Sequence, residues 1–393
     1  MDMIYHSERQ LESLNKRLNA NPDVSAKNKN IIVRFRDECF ANNISVSRVM
    51  RYMYCLRDLA LWLKKDFDTC NKEDIKSCIA TLEMNSHYSP RTKYEYRATL
   101  KKFYKWLRNN NLPDETSWIK LNFKKHNNKL PSELLNEEDV KRMLDATLSL
   151  RDRAIIMTLY ESGCRIGEFI KMQIKDLSFE KPGCILMVQG KTGGRRIRVI
   201  SSEPYIIEWL NKHPDKNNPR AFLWVESHTT NMLEYPALRK ALKVAGRRAS
   251  LQKKVNPHNF RHARATYLAN RFTEQQLKVF FGWTRASEMA SVYVHLSGKD
   301  VDSALLQAYG MQDQIQDKVI TNLMPKPCTR CRSQNESSNK FCKLCGMILD
   351  EDERTRIQAQ QSEKEDIAKV MDILMRKPEF MQTLIQKMKE IQL

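Results

Sequence analysis

The chain has 393 residues and a mass of 46.2 kDa, which predicts two or three domains. Its 67 Lys and Arg residues outnumber its 47 Asp and Glu residues by twenty, and 41% of its residues are hydrophobic. This composition excludes a mostly disordered protein. The positive charge favours a polyanionic partner such as nucleic acid, although a basic surface without such a partner has the same composition.

The sequence has no apolar run near the roughly 18 residues that a membrane helix needs, and residues 1–18 are polar. We therefore do not expect a secreted or integral membrane protein. Ten cysteines are too few for a disulfide scaffold in a chain of this length, which indicates a reducing, cytoplasmic setting.

Positive charge is concentrated in two stretches. Residues 236–273 contain ten Lys or Arg and no acid, and residues 91–129 contain eleven Lys or Arg against three acids. Either stretch is a candidate surface for phosphate contacts, but a solvated helix face has the same pattern.

The first part of the chain reads as a helical bundle. After an N-terminal extension, residues 1–26, apolar residues in 27–110 recur at spacings of three and four and predict four helices. Ser89 followed by Pro90 is typical of a helix start. Residues 111–131, which contain Asn and Pro and have poor periodicity, are predicted to be a linker.

Residues 132–312 are predicted to form a larger, mainly helical domain, with Asn136 as the cap of its first helix. Two short strands, residues 184–188 and 196–200, are joined by a glycine-rich turn and predict a β-hairpin. The fold class is therefore mainly α, with one small sheet.

Two motifs in this domain place a guanidinium beside a second functional group. Arg165 and Glu168 are three residues apart, so on a helix the carboxylate can hold the guanidinium in place, as an ordinary surface ion pair would also do. Pro257 opens a helix whose first turn carries His258 and Arg261. Such a helix start is a good anion site, but a purely structural His258 fits this segment equally well.

An arginine, a lysine in a hairpin turn, His-x-x-Arg at a helix start, an aromatic ring and a tyrosine, in that order, resemble the tyrosine recombinase (phage integrase, Xer-like) family. The matching stretches are Gly163–Glu168, Gly190–Arg198, His258–Thr266 and Gly282–Ser297. With the helical bundle, the resemblance covers residues 27–312. The tryptophan in the last stretch and the cysteine cluster that follows are most similar to archaeal or archaeal-virus members.

This resemblance implies a site-specific recombinase or integrase that cuts and rejoins duplex DNA through a 3′-phosphotyrosyl intermediate, without ATP or another catalytic cofactor. Residues 27–110 would be the SAM-like core-binding DNA-binding domain, and residues 132–312 the catalytic domain. Four protomers would assemble on two synapsed DNA sites, and the free protein would be a monomer or dimer. We accordingly expect a nucleoid-associated protein that serves DNA integration, excision or dimer resolution.

The resemblance also implies roles for individual side chains at the scissile phosphate. Arg165 and Arg261 would bind its oxygens, and Tyr293 would be the nucleophile. Glu168 would orient Arg165, and Trp283 would support the nucleophile.

The resemblance implies that other residues of the matching stretches transfer protons. Lys191 would protonate the leaving 5′ oxygen, with Arg195 or Arg196 as alternatives because hairpin length varies. His258 would assist proton transfer or donate a hydrogen bond to the phosphate. His262, next to this pair, is expected only to contact the DNA backbone.

Other functions stay open on the sequence alone. A type IB topoisomerase uses the same phosphotyrosyl chemistry on one strand. A non-catalytic DNA-binding or architectural protein, or a zinc-stabilised transcription regulator, would keep the same fold without cleaving DNA.

Residues 325–349 contain two Cys-x-x-Cys pairs, spaced as in a zinc ribbon. Four thiolates fill a tetrahedral Zn²⁺ shell, so the metal would be structural, and four unrelated thiols are the alternative. The expected ligands are Cys328, Cys331, Cys342 and Cys345.

Residues 350–393 are predicted to form an amphipathic helical tail. Its eight Lys or Arg and ten Asp or Glu give a net charge of −2, which makes it a poor ligand for DNA. We expect the tail to pack against another subunit, with folding back on its own chain as the alternative.

Overall fold

The computed structural model describes residues 7–109, 111, 113–122, 133–190, 193–227, 229–269, 271–291, 293, 305, 309 and 323–390. They belong to two compact units, Met1–Asn128 and Lys129–Leu393. Helices dominate both units, so the mainly α fold class is confirmed. The finer division into segments stays a prediction. No helix in the described ranges is both long and apolar enough to span a lipid bilayer.

The first unit is a helical bundle that begins earlier than predicted. Its helices are α1 Ser7–Ala20, α2 Ala26–Ala41, α3 Val46–Leu63, α4 Lys72–Met84, α5 Pro90–Leu107 and α6 Asp114–Ser117. The four helices expected from apolar spacing correspond to α2–α5. α1 lies in the segment expected to be an extension, and its Leu14 and Leu18 side chains are buried in the shared core.

The second unit is organised around one buried helix. Its helices are α7 Glu137–Asp145, α8 Leu150–Ser162, α9 Ile166–Phe169, α10 Glu203–Asn211, α11 Tyr235–Arg248, α12 Pro257–Ala269 and α13 Glu274–Phe281. α8 packs against α7, α10, α11 and α12, which bury every residue from Ala154 to Ser162. Asn136 caps α7, as predicted, in a reciprocal capping box with Asp139.

A three-stranded antiparallel sheet, β1 Leu177–Phe179, β2 Cys184–Gly190 and β3 Gly193–Val199, packs beside these helices. β2 and β3 form the predicted hairpin, and both extend closer to the turn than expected. β1 was not predicted. Because side chains alternate along a strand, Arg195 in β3 points toward the protein interior while Arg196 and Arg198 lie on the opposite face.

A buried carboxylate fixes the end of β3 to α8. Glu161 accepts hydrogen bonds from the backbone N–H groups of Ile200, Ser201 and Ser202 at 2.6, 3.0 and 2.7 Å. The Ser202 hydroxyl donates a fourth bond at 2.7 Å. The sheet therefore has a defined position relative to α8, whose end carries the arginine motif.

The cysteine-containing segment packs on helices of the same unit. It contains β4 Lys326–Pro327 paired antiparallel with β5 Gln334–Asn335. The next residue, Glu336, is 1% exposed and forms ion pairs with Arg153 of α8 and, at 3.0 Å, with Lys343. Lys343 also pairs with Glu208 of α10. These charges join the segment to α8 and α10.

Two helices, α14 Glu351–Met375 and α15 Pro378–Glu390, form the tail. The two helices contact each other, and Leu374 of α14 and Leu384 of α15 are partly buried. Earlier in α14, Ile367, Val370 and Met371 are 57%, 55% and 42% exposed. Within the described ranges, the chain does not cover this apolar face itself.

Candidate active site

The arginine motif begins where α8 ends. Gly163 adopts the left-handed conformation, with φ at +56°, and a Cβ there would lie 2.6 Å from the Phe281 ring. Its carbonyl accepts a hydrogen bond from Arg261 Nη1 at 2.8 Å. The glycine therefore allows the end of α8, the ring and the second arginine to pack closely.

Arg165 and Glu168 form the contact that their spacing predicts. Arg165 Nη1 donates to Glu168 Oε1 at 3.1 Å, and its Nη2 donates to the Gly282 carbonyl at 2.9 Å. The Glu168 side chain is 5% exposed, whereas that of Arg165 is 38% exposed. This is a buried carboxylate that holds a partly exposed guanidinium, not a surface ion pair.

Arg195 completes this network. Its Nη2 donates to Glu168 Oε2 at 2.6 Å and its Nε donates to the Phe280 carbonyl at 3.0 Å. Among the described residues, its buried Nη1 has no hydrogen-bond partner. The sequence suggested Arg195 only as an alternative to Lys191. The strand alternation after the hairpin turn is the signal that would have placed it inward.

Burial and neighbouring charges shift the pKa of Glu168 in opposite directions. Burial alone would raise the pKa of Glu168, but the hydrogen bond and charge of Arg195, and then those of Arg165, outweigh it and hold the pKa below its ordinary value. The carboxylate therefore stays ionised. With three arginines and one glutamate, the site keeps a net charge near +2 and is suited to bind an anion.

Arg261, in the first turns of α12, is a buried guanidinium group, and the residue is 8% exposed. Besides Gly163, it donates to the Phe281 carbonyl at 2.8 Å, and it lies 5.0 Å from the Phe281 ring centroid and 5.7 Å from that of Trp283. Burial, followed by the like charges of Arg165 and Arg195, lowers the pKa of Arg261 to about 10. The group is still charged at neutral pH.

Tyr293 lies against the aromatic side of this network. Its ring is stacked on Trp283, with centroids 5.8 Å apart and planes inclined by 3°. Its hydroxyl is hydrogen-bonded to Nδ1 of His262, and Nε2 of His262 lies 2.7 Å from Nε2 of His258. Burial raises the pKa of Tyr293 to about 12, against the opposing charge of Arg261.

The described residues thus bring together Arg165, Glu168, Arg261, Trp283 and Tyr293, with His258 linked to them through His262. Lys191 lies outside the described residues. His262 was expected only to contact DNA, whereas it contacts the tyrosine hydroxyl. Its position four residues after His258, on the same helix face, is the signal in the sequence.

The two Cys-x-x-Cys pairs also lie close together in the fold. The four Sγ atoms of Cys328, Cys331, Cys342 and Cys345 lie within 4.8 Å of one another. Sulfur atoms around a tetrahedral Zn²⁺ are about 3.8 Å apart, because each Zn–S bond is about 2.3 Å. This four-thiol cluster is compatible with a zinc site.

The charge of Arg261 acts on Tyr293, so a phosphate bound by this guanidinium would lie near a tyrosine that could attack it. Known proteins share this fold. Residues 133–299 match the phage integrase family. Tyrosine recombinase XerA of Pyrococcus furiosus is 29% identical over 196 residues, which cover 48% of this chain and 67% of that protein.

Two solved structures have a similar fold. XerH site-specific recombinase bound to difH substrate has a TM-score of 0.53 at 18% identity, and the match covers 74% of this chain and 92% of the XerH chain. A lambda integrase tetramer bound to a Holliday junction has a TM-score of 0.54 at 12% identity, covering 67% and 76%. Residues 133–299 therefore carry a phage integrase family domain, and the predicted class, a site-specific DNA breaking and rejoining enzyme, is confirmed.

We expect Arg195→Ala to slow DNA cleavage by about ten- to a hundredfold, because Glu168 loses one of its two guanidinium partners and Arg165 is held less firmly. Single-turnover cleavage of a nicked duplex measures this rate, and gel shift checks that DNA binding persists. Arg198→Ala, which removes a guanidinium from the opposite face of β3, is the control. Equal cleavage rates for the two variants would exclude the role of Arg195.

Proposed function

We propose that Tyr293 is the nucleophile with which this recombinase opens a DNA strand. Its phenolic oxygen forms a bond to phosphorus while the bond from phosphorus to the 5′ oxygen breaks, which leaves a 3′-phosphotyrosyl link. One observation carries the proposal: the tyrosine is stacked on Trp283, the same ring that Arg261 contacts. Rejoining reverses these bond changes and needs no external energy source.

In this proposal, Arg165 and Arg261 bind the non-bridging oxygens of the scissile phosphate. The exposure of Arg165 and the net positive charge of the network support this role. Trp283 supports the tyrosine ring and Glu168 orients Arg165. Lys191 protonates the leaving 5′ oxygen, as the family resemblance implies.

We expect Tyr293→Phe to abolish the covalent protein–DNA adduct while DNA binding is retained, because phenylalanine keeps the stacked ring and lacks only the attacking oxygen. A nicked duplex that carries candidate sites traps the adduct, which a denaturing gel resolves. Tyr267→Phe, in the same aromatic cluster, is the matched control and should form the adduct. If wild-type protein bound DNA yet gave no adduct on any site, a non-catalytic architectural role would replace this proposal.

Double-stranded DNA is the proposed partner, and four protomers are proposed to hold two synapsed sites. The basic stretch supports DNA binding, since α11 exposes Arg239, Lys240, Lys243, Arg247 and Arg248. The lambda integrase of similar fold was solved as a tetramer on a Holliday junction.

Before DNA binding, we propose that two chains associate through their tails. The uncovered face of α14 needs an apolar partner. Residues 350–372 have four basic and eight acidic side chains, net −4, whereas residues 373–393 have four basic and two acidic ones, net +2. Two tails in antiparallel orientation would place opposite charges side by side.

We expect Val370→Lys to shift the free protein from dimer to monomer, because it places a charge in the centre of the apolar face. Light scattering at several protein concentrations measures this equilibrium. Gln358→Lys adds the same charge to an exposed polar position of α14 and should leave it unchanged. A wild-type protein that is monomeric at every concentration would rule out this contact.

We also propose that the four cysteines hold one structural Zn²⁺. Their spacing in the fold fits a four-sulfur shell, and the ion would tie the two Cys-x-x-Cys turns together.

Elemental analysis of the purified protein should give about one zinc per chain, and Cys342→Ser should lose it. Cys39→Ala, which removes a buried thiol of the first unit, should retain the metal. Zinc-free wild-type protein with an unchanged melting temperature after chelator treatment would contradict a structural role.

A further inference from the structure

A chain of hydrogen-bonded groups leads away from the Tyr293 hydroxyl. The hydroxyl contacts Nδ1 of His262, and the other ring nitrogen of His262 lies 2.7 Å from Nε2 of His258. Tyr293 is 8% exposed, whereas His258 is exposed. The three groups therefore connect a buried phenol with the surface of α12.

Two assignments of the protons satisfy both hydrogen bonds, and in one of them the tyrosine hydroxyl is the donor. In that assignment, which the relay requires, Nδ1 of His262 carries no proton and accepts from Tyr293. Neutral His262 then carries its proton on Nε2 and donates it to Nε2 of His258. Every group in the chain is thus arranged to move a proton in the same direction.

The nucleophile needs such a path because it does not ionise by itself. With a pKa of about 12, the phenolate fraction of Tyr293 at pH 7 is about one in 10⁵. The positive charge of Arg261 opposes this rise in the pKa of Tyr293. The titratable group in contact with the Tyr293 hydroxyl is His262, which in turn contacts His258. A base in direct contact removes the need for free phenolate.

We propose that His262 is the general base for Tyr293 and that His258 relays the proton outward. As the phenolic oxygen bonds to phosphorus, its O–H bond breaks and the proton binds Nδ1 of His262, while the Nε2 proton of His262 passes to Nε2 of His258. The 5′ oxygen leaves with its electron pair and takes a proton from the general acid. Strand rejoining returns both histidines to their starting state. This inference rests on the proposed role of Tyr293 as nucleophile.

The relay also accounts for the position of His258. When it holds the proton, its imidazolium lies at the start of α12, in the turn before Arg261 that the sequence indicates as an anion site. The added positive charge appears beside the phosphate at the moment when negative charge develops on its oxygens.

The test measures single-turnover adduct formation on two nicked duplexes, one natural and one with sulfur in place of the bridging 5′ oxygen at the scissile phosphate. A leaving thiolate needs no proton, so the sulfur substrate bypasses the general acid and reports on the base. We expect His262→Gln to slow adduct formation about 10²- to 10⁴-fold on both substrates, with unchanged DNA binding. Lys191→Ala should be slow only on the oxygen substrate.

Two further measurements separate loss of a base from misfolding. Added imidazole should restore part of the activity of His262→Ala, because a free base then occupies the vacated space. Between pH 7 and 9, the rate of this variant should rise about tenfold per pH unit with the phenolate fraction, while Arg261 stays charged. The wild-type rate should change much less.

The outcomes distinguish this inference from the function on which it rests. If wild type forms an adduct that requires Tyr293 and His262→Gln forms it equally fast, the relay is wrong and the nucleophile stands. If His262→Gln is slow on the oxygen substrate and normal on the sulfur substrate, His262 serves the leaving group instead. An absent adduct in wild type would remove the nucleophile itself.

Discussion

The active site depends on burying guanidinium groups against a single carboxylate. Glu168 accepts from both Arg165 and Arg195, and no other described carboxylate bonds to these two groups or to Arg261. Main-chain carbonyls at the C-terminal ends of α8 and α13 accept the other hydrogen bonds that the structure records for the three arginines. These carbonyls belong to Gly163, Phe280, Phe281 and Gly282. Helix ends carry only partial negative charge, so they satisfy the donors without neutralising the cations, and positive charge is left for a phosphate.

The same buried helix connects this site with the cysteine-containing segment. Arg153 of α8 pairs with Glu336 of the cysteine-containing segment. Gly163, ten residues later and just beyond the end of α8, accepts a hydrogen bond from Arg261. At 1.5 Å per residue, this separation is about 15 Å along the helix axis. The segment therefore supports α8 from the end opposite the arginines. A structural metal there would stabilise the helix that the site is built on, without itself meeting the reacting phosphate.

Local signals in the sequence predicted the elements better than they predicted the contacts between them. Apolar spacing and caps such as Asn136 located helices, and the three-residue spacing of Arg165 and Glu168 located their ion pair. Strand alternation indicates the face on which Arg195 lies, but its contacts with Glu168 and Phe280 depend on how β3 packs against α13, which no local pattern specifies. Likewise, the contact of His262 with the tyrosine requires a residue 31 positions later to return to α12.

The alignment of Arg165 depends on the position of the hairpin, because Arg195 of β3 holds the same carboxylate, Glu168. Glu168 Oε2 accepts both from Arg195 Nη2 and from the Arg165 backbone N–H, at 2.6 and 3.2 Å. On the paired strand, a Cβ at Gly190 would lie 2.4 Å from the other oxygen of the same carboxylate. A shift of β3 away from the site would thus leave a buried carboxylate with one partner fewer, at a cost of about 3 kcal/mol or more. The two hairpin strands and the Arg165 guanidinium are therefore held together through Glu168, which links the strands that flank the proposed acid, residue 191, to the proposed phosphate-binding group.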